Sequence, residues 1–278
     1  MTYVLILALK YLRRAASQLL KAEIREAGRA LLNFFLVLPH LVLLLRPARK
    51  RCPLCGWRGA HFLPKLGTDW RITLGHTCPK CSSDKRYRTY AAALRRWLPA
   101  SDKPLRILEV AGTEYSERLF AHLPNRFYVA ADLAYRTAKV KTDVTRLAFA
   151  DQSFDFVLCS HVLEHVKEDV QAMRELHRVL CSNGQALLQV PMDNELGQTI
   201  EYEAPNPAES DHVRCYGRDY RERLQAAGFT VKSANLWKNA EELNRCGGND
   251  EELYFCIKST SNGRHSHEYS DAVSHPSV

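Results

Sequence analysis

Four cysteines stand in two pairs, Cys52-Pro53-Leu54-Cys55 and Cys78-Pro79-Lys80-Cys81, with two residues inside each pair and 22 between the pairs. A two-residue spacer lets a tight turn aim both thiolates at one ion, and two such knuckles complete the tetrahedral sulfur set that zinc favours. A redox Cys-x-x-Cys needs a single motif at a helix start after a strand. Here two motifs lie in a Pro- and Gly-punctuated stretch that predicts short-stranded hairpins, a zinc ribbon. Four thiolates leave no open position for water or substrate, so Cys52, Cys55, Cys78 and Cys81 are expected to hold a structural ion. The other five of the nine cysteines are scattered singly in apolar surroundings, which is no disulfide framework and points to a reducing cytoplasm.

A second set of chemistry-bearing residues lies further on. Asp132 comes 22 residues after Val110 at the end of an apolar run, where an acid hydrogen-bonds the hydroxyls of a ribose; a helix N-cap is the alternative use. Asp143 is placed to accept from an adenine amino group or to cap a turn. His161-Val162-Leu163-Glu164-His165 fits the inverted zinc-peptidase signature, but that signature belongs inside a long helix, and this segment directly follows an apolar run. His161, His165 and His212 are candidate bases, with Glu164, Arg214 and Tyr216 as orienting groups; a fold-stabilising hydrogen bond is an equal reading for each. His177 reads as a surface residue.

These residues need elements to hold them. Short apolar runs at 105–110, 127–131, 154–159 and 185–190 predict buried strands, and between them residues 114–123 and 167–180 have helical spacing, the second stopping at Asn183-Gly184. Alternating strand and helix units imply an α/β fold with a doubly wound, mostly parallel sheet whose ligand sits at the carboxyl ends of the strands. The turn Glu109-Val110-Ala111-Gly112-Thr113-Glu114 after the first strand carries one glycine, so a nicotinamide dehydrogenase with its three-glycine fingerprint is not favoured. Residues 84–98 predict a helix capped near Ser83 or Asp84, with Arg86, Arg88, Arg95 and Arg96 read as a solvated face.

Residues 143–191, with an Asp before a Leu-x-Phe turn, Asp151-Gln152-Ser153-Phe154-Asp155, the His161–His165 segment and Arg178-Val179-Leu180 before Gly184, resemble the class I S-adenosylmethionine-dependent methyltransferases of the type 11 kind. Together with the cysteine pairs and residues 211–229, the chain is similar to a bacterial zinc-ribbon subgroup that tends to lack the glycine-rich first turn. The resemblance implies a seven-stranded Rossmann-like sheet. It implies S-adenosylmethionine held by Glu109, Ala111, Gly112, Asp132, Leu133, Asp143, Val144, Ser160 and His161, and zinc on the four cysteines. A fold that kept its shape and lost its chemistry, serving as a scaffold, is the alternative.

Composition sets the outer limits. With 46% apolar and 25% charged residues, 13 Gly and 12 Pro, the 278-residue chain is neither collagen-like nor wholly disordered. Residues 1–98 hold 19 Lys+Arg against 4 Asp+Glu, a net +15, and residues 99–278 hold 20 against 27, a net −7. The cationic half suits an anionic partner. Residues 1–47 read as an amphipathic and apolar helical segment, either an anchor on an anionic membrane surface or a helix packed on the core; the apolar run 30–45 is short for a span of about 20 residues. Residues 48–98 then form the ribbon and basic helix, 99–258 the methyltransferase domain, and 259–278 a disordered tail. The expected partner is a methyl acceptor, whether a glycan hydroxyl, a lipid-linked intermediate or a small molecule; nucleic acid is not favoured. The expected location is cytoplasmic, peripheral on the inner face of the membrane.

Overall fold

The computed structural model describes residues 2–40, 47–67, 70–98, 103–113, 115–134, 138–237 and 240–259. Glu114, the end of the apolar run 30–45 and nearly all of the expected disordered tail lie outside the described residues. Two helices, α1 (Thr2–Leu20) and α2 (Ile24–Val37), fold back on each other. Strands β1 (Lys50–Arg51) with β2 (Arg58–Gly59), and β3 (Leu63–Leu66) with β4 (Ile72–Thr77), make two small antiparallel hairpins around the cysteine pairs. Helix α3 (Lys85–Trp97) follows, and Asp84 caps it by accepting from Tyr87 N at 2.9 Å.

The main sheet comprises β5 (Leu105–Val110), β6 (Arg126–Asp132), β7 (Val140–Lys141), β8 (Phe154–Ser160), β9 (Leu180–Gln189), β12 (Thr230–Asn235) and β13 (Glu252–Ile257), ordered β12-β13-β9-β8-β5-β6-β7. Strands β5 to β9 pair in parallel, while β13 runs antiparallel to β9 and β12. This is the doubly wound, mostly parallel seven-stranded α/β sheet expected from the sequence. Helices α4 (Ser116–Leu119), α5 (Asp169–Val179), α6 (Tyr220–Ala226) and α7 (Ala240–Cys246) and the hairpin β10 (Ile200–Asn206) with β11 (His212–Cys215) complete the described elements.

Alternate residues of each central strand face opposite layers, as the two-residue period of a strand requires. Leu108, Val157, Cys159, Ala186 and Leu188 pack with Met173 and Leu176 of α5 and Tyr220 and Leu224 of α6. Ile107, Phe156, Leu158 and Leu187 face the other way, onto Tyr90, Ala91 and Leu94 of α3 and onto Cys52, Cys78 and Cys81. The helix after the cysteine pairs is therefore one of the covers of the sheet, and one apolar cluster joins residues from Cys52 to Leu98 with residues from Ile107 onward.

Several expectations change. The helix of residues 114–123 is a single turn, and the 167–180 helix ends at Val179 rather than at Asn183-Gly184. That pair instead bends β9 where its register with β8 shifts; Asn183 has φ +61°, and a Cβ on Gly184 would meet Cys181 O at 2.8 Å. Arg88 is not on a solvated face. It is fully buried and donates to the carbonyls of Gly75 (2.9 Å), His76 (2.8 Å), Ser83 (2.6 Å) and Gly247 (2.7 Å). Gly247, at φ +59°, must be glycine, because a Cβ there would lie 2.4 Å from the Phe62 ring. His177 is half-buried, its ring edge-on to Phe229 at 5.0 Å.

Candidate active site

Strand β5 lies between β6 and β8, so the chain leaves it in opposite directions and a crevice opens at the carboxyl ends, where such sheets take their ligands. The cavity there measures about 360 Å³, and Ala111, Asp132, Leu133, Asp143, Val144, His161 and His165 stand in its wall. Asp132 Oδ1 accepts from Ala134 N at 2.8 Å, and Asp143 Oδ1 accepts from Thr145 N and Oγ1, each at 2.8 Å. Each carboxylate thus uses one oxygen to hold its own turn, and its second oxygen has no hydrogen-bond donor among the described residues. The turn-capping and ligand-binding uses are compatible in one side chain.

Glu109, Gly112 and Ser160 stand beside the cavity rather than in its wall. Glu109 is buried, accepts from Tyr128 Oη at 2.8 Å, and has its carboxyl pushed up to about 7 by burial. Ser160 Oγ pairs with Tyr90 Oη at 2.8 Å. Thr142, Thr145 and Lys167 also line the cavity, and their only sequence signal is adjacency to the named residues.

His161 leaves β8 with φ +55° and its backbone N donates to Gln189 O at 2.8 Å. Residues Leu163–His165 form one 3-10 turn, so the two histidines of the segment do not share an α-helical face as a peptidase site requires. Arg214, buried on β11, fastens this turn by donating to Leu163 O at 2.9 Å and Lys167 O at 2.8 Å, and its Nε donates to Glu201 at 2.9 Å. Tyr216 Oη donates to Asp169 at 2.8 Å. Both tie residues 214–216 to the 163–169 segment. His212 lines a neighbouring groove with Pro191 and Met192, its ring 4.8 Å from that of His165, and burial holds its pKa below the usual histidine value.

A second, polar cavity of about 540 Å³ adjoins the first at His161, which lines both. Thr73, His76, Asp84, Lys85 and Arg86 come to it from β4 and the start of α3, and Gln189, Asn194, Asn249 and Glu251 from the sheet side. Burial, then the charge of Lys65, lowers His76 to about 4, so its ring is neutral near pH 7. Sequence reasoning missed this cavity because its walls come from segments more than 100 residues apart.

The cysteine pairs converge. Cys52 and Cys81 sulfurs lie 3.8 Å apart, Cys55 and Cys78 3.7 Å, and all four fall within 4.8 Å of one another. A tetrahedron with metal–sulfur bonds of about 2.3 Å has edges of about 3.8 Å, so the four thiols fit one ion.

The sequence profile of a family described as a methyltransferase domain matches residues 98–188. The chain has no match among the curated proteins. Among solved structures, the 1,6-didemethyltoxoflavin-N1-methyltransferase of Burkholderia thailandensis, with bound S-adenosylhomocysteine, is 18% identical over 63% of this chain and 78% of that one, TM-score 0.45. An S-adenosylmethionine-dependent methyltransferase of Mesorhizobium loti is 16% identical over 59% and 95%, TM-score 0.41. The [4+2]-cyclase SpnF is 16% identical over 62% and 79%, TM-score 0.43. Residues 98–188 of this chain are thus similar to a methyltransferase domain.

Proposed function

We propose that the chain transfers a methyl group from S-adenosylmethionine to a hydroxyl of a polar acceptor, a sugar of a surface glycan or of a lipid-linked intermediate. The observation that carries this reading is the shared wall: His161 lines both the strand-end cavity and the polar cavity. Asp132 and Asp143 would hold the ribose and adenine of the donor, with Ala111, Leu133 and Val144 as its apolar bed. The bound sulfonium supplies an activated methyl whose thioether leaves neutral. The amide- and acid-rich lining of the second cavity suits hydroxyl recognition. His161 would take the acceptor proton as oxygen attacks, and Glu164, whose Oε1 lies 3.3 Å from His161 Nδ1, would stabilise the imidazolium that forms. The four cysteines would hold one structural zinc. A cytoplasmic protein lying on the inner membrane face through its basic amino-terminal half is the matching location.

Calorimetry with S-adenosylhomocysteine and transfer of labelled methyl to oligosaccharide acceptors test this. His161→Ala should cut kcat by about 10²–10⁴. Asp132→Ala should weaken donor binding by about 1–3 kcal/mol. Failure of the donor product to bind at millimolar concentration would leave a scaffold with the methyltransferase fold.

A further inference from the structure

We infer that Glu164, His165 and His212 form a binding site for one divalent transition-metal cation, separate from the cysteine cluster. One carboxylate oxygen and one imidazole nitrogen from each histidine lie within 4.8 Å of one another. Small side-chain adjustments would bring them to the roughly 2.0–2.2 Å that such a cation needs.

Glu164 supplies the independent reason. It is fully buried, and neither carboxylate oxygen has a hydrogen-bond partner among the described residues. His161 Nδ1, 3.3 Å from Oε1, stands beside the carboxylate without the alignment of a hydrogen bond. A bare buried carboxylate is costly, and a cation on its free side removes the cost. The two histidines come from different elements, the 3-10 turn and β11, yet are held edge to face at 4.8 Å and 77°. Arg214, two residues beyond His212, ties β11 to the carbonyls of that turn and fixes their spacing.

Two imidazoles and one carboxylate suit manganese, iron, cobalt, nickel or zinc rather than magnesium or calcium, and three protein ligands leave positions open. His165 lines the strand-end cavity and His212 the groove of Pro191 and Met192, residues that also line the polar cavity. The ion would therefore lie where the cavities meet and would polarise an acceptor hydroxyl, a role that rests on the methyl-transfer reading although the site does not.

The test uses full-length protein with its cysteine cluster zinc-loaded and Mn2+ alone as probe, following free Mn2+ by electron paramagnetic resonance. One Mn2+ per chain should bind, and His165→Ala and His212→Ala should each weaken it at least about tenfold with the cysteine-bound zinc retained. No binding at millimolar Mn2+, or wild-type affinity in both variants, overturns the site. Glu164→Gln should abolish binding; if that variant fails to fold, His165→Ala, at an exposed position, still decides. Titration of S-adenosylhomocysteine on the same samples is scored separately, so loss of the methyl-transfer reading and loss of the metal site are distinguishable.

Discussion

Ala111 and His161 both hold left-handed backbone conformations, φ +54° and +55°, at the ends of β5 and β8 beside the strand-end cavity. An L-residue is strained there, and glycine is not. Ala111→Gly should therefore raise the melting temperature by roughly 1–3 °C, and a fall would show that the methyl group's packing outweighs the strain. Glu109 gives a pH signature. Its folded pKa, about 7, lies above the ordinary carboxylate value, so between pH 4.5 and about 7 the folded protein binds more protons than the unfolded chain. This group's contribution to stability falls as pH rises through that window. Melting curves from pH 4 to 8 should show Glu109→Gln with a shallower decline than wild type and a gain at pH 8; parallel curves would refute it. The sequence revealed Asp132 and Asp143 because each follows an apolar run at a definite distance. It did not reveal Glu164's bare carboxylate, since an orphaned acid is a property of what surrounds it.

Among elements, α3 does two jobs. Its apolar side covers the sheet, and Arg88 draws the carbonyls of β4, the second cysteine knuckle and Gly247 to one guanidinium. Arg88→Met removes all four of these hydrogen bonds and should cost about 3 kcal/mol in urea unfolding, with the m-value unchanged. If the four cysteines hold zinc, as proposed above, stripping it should lower one common unfolding transition; two separated transitions would mean that ribbon and sheet unfold independently. The strands were legible because their runs are short, apolar and bounded by turns. The arginine was not, because helical spacing says which residues share a side of a helix and not what that side meets. The end of α5 was misjudged for a related reason: Asn183-Gly184 is good helix-stopping chemistry, but Leu180 pairs with Phe154 and the strand takes the chain first.

For the whole molecule, the α1–α2 hairpin packs Val4, Leu7 and Val37 against Leu63, while Asn33 bonds both the N–H and the carbonyl of Leu66. Leu5, Leu9, Leu31 and Phe35 remain exposed, and Leu20 is 90% exposed. No described helix is long and apolar enough to cross a membrane. The packed and the exposed sides of this hairpin differ, and if the exposed side meets lipid, as proposed above, the protein should cosediment with phosphatidylserine vesicles, less so at high salt. Leu9→Gln with Phe35→Gln should abolish this without unfolding the chain; unchanged sedimentation would refute the lipid contact. Thr73, His76, Asp84, Lys85 and Arg86 wall the polar cavity but not the strand-end cavity, so apart from the shared His161 the two cavities draw on different stretches of the chain. On the methyl-transfer reading, a descendant of this protein could acquire a new acceptor by altering the loops beside its cysteine knuckles, and inherit its donor unchanged.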